Sequence, residues 1–564
     1  MKLINLALAI FLLVAGAAAQ TAAPAVFFTD LTSGPNTGGE SVSGFAGAYV
    51  TIYGNNFGAT QGSSTVTLNG ASCLRVVSWG TTWLWYQKIV VQLGSSCTAG
   101  TGNFVVTVNG VKSTAATITV NGTSINQSSF TVRSGNIYCV SSGGSDSASG
   151  KFGSCWATIQ HAIQTIAAGD IAYIQSLTQS SDGCNQYSAA LCILSAGSAG
   201  SPKAIIAYPG ATVTVNTSQA NGLRTPQVSG PGPYWTVAGL NITTTASGGI
   251  AFKPYVANFR YIANVMACTN GTGTAACLEA EADGTSLAYQ IYGNQITQAG
   301  STTFSTDSKT YHGFYFAGSD NHTDIGWNDI HNVMGGRGIQ FYEEGVDQYD
   351  IHVHDNLIHD TTLDGINLNG INANNGPVEV FNNVEYNVGK GPDPPDGAGI
   401  STCINLEANG SPSTKTLVYN NTCYNAGYSS STNPSQNGGF SFYVPVSLYN
   451  NLLYQNNGQP YITTDAGCSR ATGSNNNFYG NGGTPSCGGL TTSTNVNPQI
   501  VSTTTPDFHL LSGSPMMGAG TNSLFSMFDH DGVTRANPPA IGAYEDPGSV
   551  QRPAPPTGLQ VSVQ

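Results

Sequence analysis

One short pattern returns along the middle of this chain at intervals that leave little choice of architecture. Read from its asparagine, it runs Asn294-Gln-Ile-Thr, Asn328-Asp-Ile-His, Asn356-Leu-Ile-His, Asn383-Val-Glu-Tyr, Asn421-Thr-Cys-Tyr and Asn451-Leu-Leu-Tyr, with weaker copies at Asn264-Val-Met and Asn477-Phe-Tyr. Successive asparagines lie 30, 34, 28, 27, 38, 30 and 26 residues apart. Self-similarity at such a period marks a solenoid in which each unit is one coil.

The local periodicity says what kind of coil. Ile351-His-Val-His and Val378-Glu-Val-Phe precede the asparagines, and Gly338-Ile-Gln-Phe, Gly365-Ile-Asn-Leu and Gly439-Phe-Ser-Phe lie between them. Alternation over four to six residues, bounded by Gly and Asn, reads as short half-buried strands. Stacked coil on coil, such strands form parallel sheets around an apolar lumen. An asparagine at the same inward corner of every coil can then hydrogen-bond to its counterparts ~4.8 Å above and below. The reading is a parallel β-helix whose turns tolerate left-handed backbone.

At the start of the chain, Lys2 is followed by the apolar run Leu3 to Val14 and by Ala17-Ala-Ala19, the three regions of a secretory signal peptide over residues 1–20. The mature chain is expected to begin near Gln20 or Thr21, and no later stretch is long and apolar enough to span a bilayer. Twelve cysteines, an even count, suit an oxidising compartment. Their spacing suggests that neighbours pair: Cys73 with Cys97, Cys139 with Cys155, Cys184 with Cys192, Cys268 with Cys277, Cys403 with Cys423, and Cys468 with Cys487. No cluster of Cys or His at two- to four-residue spacing argues for zinc instead. A formal charge of −13 with only 17 Lys and Arg excludes a nucleic-acid partner, which needs a dense basic surface. For a polyuronate, a bound cation such as Ca²⁺ would have to supply the missing positive charge.

Residues 24–128 form a separate unit. Tyr49-Val-Thr-Ile-Tyr-Gly-Asn-Asn-Phe-Gly58, Thr65-Val-Thr-Leu-Asn-Gly70, Lys88-Ile-Val-Val-Gln-Leu93 and Asn103-Phe-Val-Val-Thr-Val-Asn-Gly110 are alternating strands with Asn-Gly turns, which suggests a small antiparallel sandwich. Gly54-Asn-Asn-Phe-Gly58 resembles the Gly-x-x-Phe-Gly strand end of the IPT/TIG family of immunoglobulin-like domains, which act in secreted proteins as spacers or binding modules. Trp79, Trp83, Trp85 and Tyr86 offer either a sugar-stacking platform or, in a domain with few large residues, the core.

Beyond a Ser-rich linker comes Asn136-Ile-Tyr-Cys-Val-Ser-Ser-Gly-Gly-Ser-Asp146, and Trp156, Ile159, Ala162, Ile163 and Ile166 then fall on one helical face. A helix over 155–167, laid across the first coil, would close the open lumen. A Gly-Ser-Asp turn, the Trp156-Ala-Thr-Ile-Gln helix and the Gly169-Asp-Ile-Ala-Tyr-Ile174 strand resemble, in that order, the N-terminal caps of right-handed β-helix proteins of the pectate-lyase-like superfamily. Asp507-Phe-His-Leu-Leu-Ser-Gly-Ser-Pro515, Asp531-Gly-Val-Thr-Arg535 and Ile541-Gly-Ala-Tyr-Glu545 look like its closing segment. The expected fold class is all-β: a right-handed parallel β-helix solenoid over 136–546, preceded by the small immunoglobulin-like β-sandwich and followed by a Pro-rich tail, 547–564, expected to be disordered.

Such a superfamily hosts lyases, hydrolases, epimerases, tailspikes and adhesins, so function must come from the site. The chain has neither the Asn-Thr-Asp, Asp-Asp, Gly-His-Gly, Arg-Ile-Lys series of polygalacturonases nor the Arg-x-Pro-x-x-Arg of pectate lyases. Aligning the coils on the asparagine gives three columns instead. Four residues before it stand Gln290, Asp324, His352 and Glu379, expected to point outward as a proton-transfer group or a surface charge ladder. Three residues after it stand His331, His359, Tyr386, Tyr424 and Tyr454, an aromatic stack that either binds sugar faces or only packs. At the start of the next strand stand His312, Arg337 and Asp364, beside the loops Tyr342-Glu-Glu-Gly345 and Lys390-Gly-Pro-Asp-Pro-Pro-Asp396.

These columns place a groove near residues 313–407, with Arg337, Asp364, Lys390 and Asp396 as catalytic candidates and His312, Glu343, His352, His359 and Glu379 as substrate-binding ones. Lyase chemistry would use Arg337 or Lys390 as base beside a metal-neutralised carboxylate. Hydrolysis would use two carboxylates ~5 Å or ~6.5–9.5 Å apart, and Glu343, Asp364 and Asp396 could equally hold Ca²⁺. Against this stands a structural role in which Asp364 and Asp396 fix turns and Arg337 pairs with them. The expectation is a secreted or cell-surface monomer that binds or cleaves an extracellular polysaccharide, the rival being a non-catalytic adhesion or matrix protein.

Overall fold

The computed structural model describes residues 22–545 apart from 181–183, 185–186, 226–233, 271–274, 283–287, 304–310, 392–400, 428–436, 457–466 and 481–487. Among the described residues, three long parallel sheets run the length of a β-helix: sheet I with 13 strands from Ile137–Val140 to Leu490–Thr491, sheet II with 11 from Leu177–Gln179 to Asn477–Tyr479, and sheet III with nine from Ala189–Cys192 to Asn437–Phe442. Each coil contributes one strand to I, II and III in turn. Inward residues such as Ile325, Ile330 and Ile339 fill the lumen and are wholly buried. Ile159–Thr165 is an α-helix, with the Thr158 side chain capping it from His161 N–H. Its Ile159, Ala162 and Ile163 join the same core and close the first coil.

The corner between sheets I and II carries the repeat. Each ladder asparagine donates its Nδ2 to the Oδ1 of the next: Asn264 to Asn294 (3.1 Å), Asn294 to Asn328 (3.1 Å), Asn328 to Asn356 (2.9 Å), Asn356 to Asn383 (3.0 Å), Asn383 to Asn421 (3.1 Å) and Asn421 to Asn451 (3.0 Å). The same Oδ1 accepts the backbone N–H of the coil above, as Asn383 does from Asn356. The last rung corrects the sequence alignment: Asn451 donates to Asn476, not Asn477. Two adjacent asparagines offer two registers, and Phe478 reaches the lumen only from the first. The residue ahead of each rung is left-handed, including Ala263 (φ 53°), Trp327 (φ 57°), Asp355 (φ 50°) and Asn382 (φ 57°), so the chain turns sharply there.

Five of the expected disulfides form, Cys73–Cys97, Cys139–Cys155, Cys184–Cys192, Cys268–Cys277 and Cys403–Cys423; the pairing of Cys468 with Cys487, the signal peptide and the tail lie outside the described residues. No helix among them is long and apolar enough to cross a membrane.

The N-terminal strands make two antiparallel sheets packed as a sandwich, and that sandwich rests on the outer face of sheet I. Its aromatic cluster packs into a core shared with sheet I, with Trp83, Trp85 and Tyr86 on the docking face. Trp83 donates to Gly293 O (2.9 Å), Trp85 to His530 O (3.2 Å) and Tyr86 to Trp327 O (3.1 Å), while Phe27 stacks on Trp327 at 5.7 Å. Trp79 alone turns back into its own domain, donating to Phe57 O. Lower down, the hairpin Thr117–Val120 and Thr123–Asn126 covers Phe381 and Tyr419. The C-terminal segment then runs back along the ladder corner. Asn382 donates to Phe528 O (2.7 Å), and Arg535 donates to Asn382 Oδ1 (2.6 Å) and pairs with Glu545 (3.1 Å).

Replacing Asn356 with alanine should leave the Asn328 N–H without its acceptor and take one partner each from Asn328 Nδ2, Ile325 O and Asn383 Oδ1 in a dry corner. A loss of about 2–4 kcal/mol is expected from the unsatisfied donor and the lost hydrogen bonds, to be measured by reversible denaturant unfolding.

Candidate functional site

With sheet I under the sandwich and the corner under the C-terminal segment, sheet III is left with an outer face that, among the described residues, neither of these touches. Register defines what that face presents. Leu223, Phe252, Leu278, Phe314, Ile339 and Ile366 point into the lumen, so their neighbours Arg224, Lys253, Glu279, Tyr315, Gln340 and Asn367 point out, one per coil. Strand pairing aligns the row: Arg224 with Lys253, Glu279 with Tyr315, Tyr315 with Gln340, and Gln340 with Asn367.

The upper end of this row is cationic and aromatic. The Arg224 guanidinium lies 5.4 Å from the Tyr187 ring centre and 4.9 Å from that of Tyr255, and donates to Tyr255 Oη (3.4 Å). Its buried Nε has no protein partner among the described residues. Lys253 lies over the same Tyr255 ring at 5.1 Å and forms an ion pair with Glu279. Although burial alone would lower the Lys253 pKa, Glu279 raises it. Burial and then the carboxylates of Glu279 and Glu343 push the Tyr315 hydroxyl up to about 12. Tyr187, Arg224, Lys253, Tyr255 and Tyr315 are all partly exposed; farther down, Gln340, Asn367 and Asn405 are buried.

The nine residues singled out from sequence do not form one groove. His312, Arg337 and Asp364 do meet, at the edge of sheet III. Arg337 Nε donates to Asp364 (2.8 Å), its Nη1 donates to Gln340 Oε1 (2.8 Å), and its backbone N–H donates to His312 Nδ1 (3.1 Å). Thr402 donates twice more to Asp364. Burial pushes Asp364 up to about 6 against the pull of Arg337, and burial with Arg337 pushes His312 down to about 3, so His312 is neutral. Both Asp364 oxygens and the Nε and Nη1 of Arg337 are engaged, which ties this edge of sheet III together.

Glu343 sits exposed on the loop after Ile339–Phe341. Lys390 lies at the corner beyond sheet II, donating to Asn425 Oδ1 (3.1 Å) and Gly427 O (2.7 Å), and burial lowers its pKa to about 8. Asp396 lies outside the described residues.

His352 and Glu379 are adjacent on sheet I, as the column predicts, but the face they share is roofed by the sandwich rather than open to solvent. They line a chamber of about 400 Å³ together with Phe27, Thr117, Thr119 and Tyr419. His352 lies 3.3 Å from Glu379 and 3.4 Å from Asp350, and Asp350 also takes the N–H of Asn121 at the tip of the covering hairpin (2.5 Å). Burial would lower the His352 pKa, yet the hydrogen bonds to these two carboxylates raise it to about 10. His359 belongs to sheet II, stacked between His331 (4.9 Å) and Tyr386 (4.5 Å). The stack continues through Tyr424 and Tyr454, where Phe508 of the C-terminal segment covers Tyr386 and Tyr424.

Sequence reading missed two groups. Arg224, Lys253, Tyr255 and Tyr187 lie above Asn264, where the asparagine register begins, although Asn221-Gly-Leu-Arg224 and Ile250-Ala-Phe-Lys253 already show the alternation. Glu385 occupies the slot that Ile358 and Cys423 fill in adjacent coils. Its carboxyl therefore faces the lumen without a hydrogen-bond partner among the described residues, and burial followed by nearby Asp364 raises its pKa well above the usual carboxyl range.

Residues 40–119 match the IPT/TIG domain family, so the chain joins an IPT/TIG domain to a parallel β-helix. No curated protein matches it. Among solved structures it is similar to the pectate lyase Pel9A (14% identity, TM-score 0.41, covering 73% of this chain and 97% of that one), to a rhamnogalacturonan lyase (16%, 0.32, 51% and 82%) and to XylC in complex with xylose (11%, 0.32, 60% and 75%).

Because its folded pKa exceeds the unfolded one, His352 stabilises fully below pH ~6.5, and that contribution fades as pH rises through about 10. The melting temperature is expected to fall from pH 6 to pH 10, and His352→Gln to flatten that slope in scanning calorimetry.

Proposed function

We propose that this protein is exported and engages an extracellular polysaccharide along the outer face of sheet III, the chain seated at the end of the row formed by Tyr187, Arg224, Lys253, Tyr255 and Tyr315. What carries the reading is Arg224, a guanidinium flanked by two tyrosine rings, with an Nε unpartnered among the described residues, at the partly exposed end of the sheet face that neither the sandwich nor the C-terminal segment covers. Tyrosine rings stack on the apolar faces of sugars, and guanidinium and ammonium groups take their hydroxyl or carboxylate oxygens. One side chain per coil, ~4.8 Å from the next, gives such a row a repeat near that of successive sugar residues in an extended glycan. Five disulfides fit an oxidising, extracytoplasmic setting.

Turnover by a lyase or hydrolase mechanism is the fuller form of this reading. Binding without turnover is favoured by one observation: Arg337 and Asp364, the best-placed base and acid in the sequence, are occupied by one another, by Gln340 and by Thr402.

The test is a panel of neutral and acidic polysaccharides run in affinity electrophoresis, with ultraviolet detection of unsaturated products and a reducing-end assay. Arg224→Ala and Tyr255→Ala are each expected to weaken binding at least tenfold, the loss of about 1.4 kcal/mol or more, while His359→Ala leaves it unchanged. Binding that survives both substitutions, or no binding to any glycan, would sink the proposal. Product formation decides between the two forms.

A further inference from the structure

On sheet II, away from the glycan face, three ligand-type side chains from two coils converge. We infer that Asp329, His331 and His359 form a binding site for a first-row transition metal ion of the Zn²⁺ class. This site is independent of the glycan reading.

Asp329 and His331 stand two apart on one strand, so both face outward, and the pairing of His331 with His359 brings in the second imidazole from the next coil. Their ligand atoms all lie within 4.8 Å of one another. Asp329 Oδ1 is 2.9 Å from His331 Nδ1 and 3.7 Å from His359 Nε2. In a tetrahedral zinc site with bonds of about 2.1 Å, ligand atoms lie roughly 3.4 Å apart, and the two observed distances fall on either side of that. Because the two rings stack parallel within 6°, their in-plane lone pairs run side by side, and binding requires one ring to turn out of the stack by some tens of degrees so that both meet on the ion.

The surrounding groups are those that orient metal ligands. His359 Nδ1 is 2.7 Å from Asp360 Oδ2, which fixes the N–H on that nitrogen and leaves Nε2, the atom facing Asp329, as the lone-pair donor. Gln295 Nε2 donates to the other Asp329 oxygen at 2.9 Å and holds the carboxylate in place. Two imidazoles and one carboxylate select Zn²⁺, Co²⁺ or Ni²⁺ over Ca²⁺ and Mg²⁺, which prefer all-oxygen sets. The three side chains are 10–18% exposed, so a fourth position faces solvent and can take water or a ligand oxygen. Spacing along the chain hides the site, because His331 and His359 are 28 residues apart and only the coil makes them neighbours.

The full chain, stripped with chelator and dialysed, is titrated with ZnCl₂ by calorimetry, with CaCl₂ in parallel, and loaded with Co²⁺ for visible spectroscopy. Expected are one Zn²⁺ per chain, a Co²⁺ spectrum of tetrahedral type, and no Ca²⁺ heat. His359→Gln and Asp329→Asn should each weaken Zn²⁺ at least tenfold, whereas His509→Ala, in the other exposed His–Asp cluster, should not. Folding of each variant is verified by circular dichroism, and Zn²⁺ should raise the melting temperature of the wild type but not of His359→Gln. An absence of stoichiometric Zn²⁺ on the wild type, or affinity unchanged in the folded His359→Gln and Asp329→Asn chains, overturns the assignment and leaves the three groups as a hydrogen-bonded ladder.

Discussion

A primary amide buried in a protein has two N–H donors and a carbonyl oxygen to satisfy, and in this molecule each ladder asparagine does so largely with the asparagine of the neighbouring coil. Asn328 donates to Asn356 Oδ1 and to Ile291 O, and its own oxygen accepts from Asn294. Such a group is costly to bury unpaired, so one rung out of register would leave amides unmatched on both sides. From Asn264 to Asn476 the ladder thereby fixes where each coil begins, and the position of the outward residues of those coils follows from it. A left-handed residue ahead of each rung makes the corner tight enough for the amides to meet. Trp327 accepts this strained backbone where other coils use Asn, Asp, Gly or Ala, and its ring becomes the anchor for Phe27 and Phe28 of the sandwich.

The docked sandwich changes what the solenoid can offer. On a bare β-helix all three outer faces are available, but here sheet I is roofed along its length. Charged groups that the sequence places on a surface are thereby turned into interface. Asp350 gathers His322, His352 and the Asn121 N–H from the covering hairpin, so oppositely charged groups are buried as a set rather than singly. Arg260 behaves similarly, donating to Thr29 O across the interface. Polar chemistry in this chain is abundant, and most of it holds parts together. Among the described residues, the upper end of sheet III and the imidazole pair on sheet II keep polar side chains partly open to solvent.

Periodicity made the fold legible. Asn-x-Ile-x marks the corner, the alternation marks strands, and the Trp156 to Ile166 stripe marks the capping helix, whose observed extent is shorter than the apolar stripe because Ile166 is already extended. Columns were legible too: His331, His359 and Tyr386 stack in the order the alignment gives. Lateral position was not. Whether a column faces water, another domain or the C-terminal segment depends on contacts such as Trp85 with His530 that no local pattern encodes. For that reason the column leaves Arg337 and Asp364 open between chemistry and a structural pair, of which the structure displays the pair, and His352 reads as surface and lies at the interface. A twofold choice defeats even the periodic signal at Asn476 and Asn477, where only the partner rung breaks the tie.

The C-terminal segment joins the two ends of the fold. Trp85 Nε1 meets His530 O across 445 residues of sequence, and Asn55 Nδ2 meets Asp531 O across 476. These bonds cannot form until all intervening coils have stacked at the right height, since a missing or extra coil would displace residue 530 by ~4.8 Å from its partner. The segment therefore works as a gauge of length: the sandwich and residues 528–545 fit one another only when the number of coils between them is right.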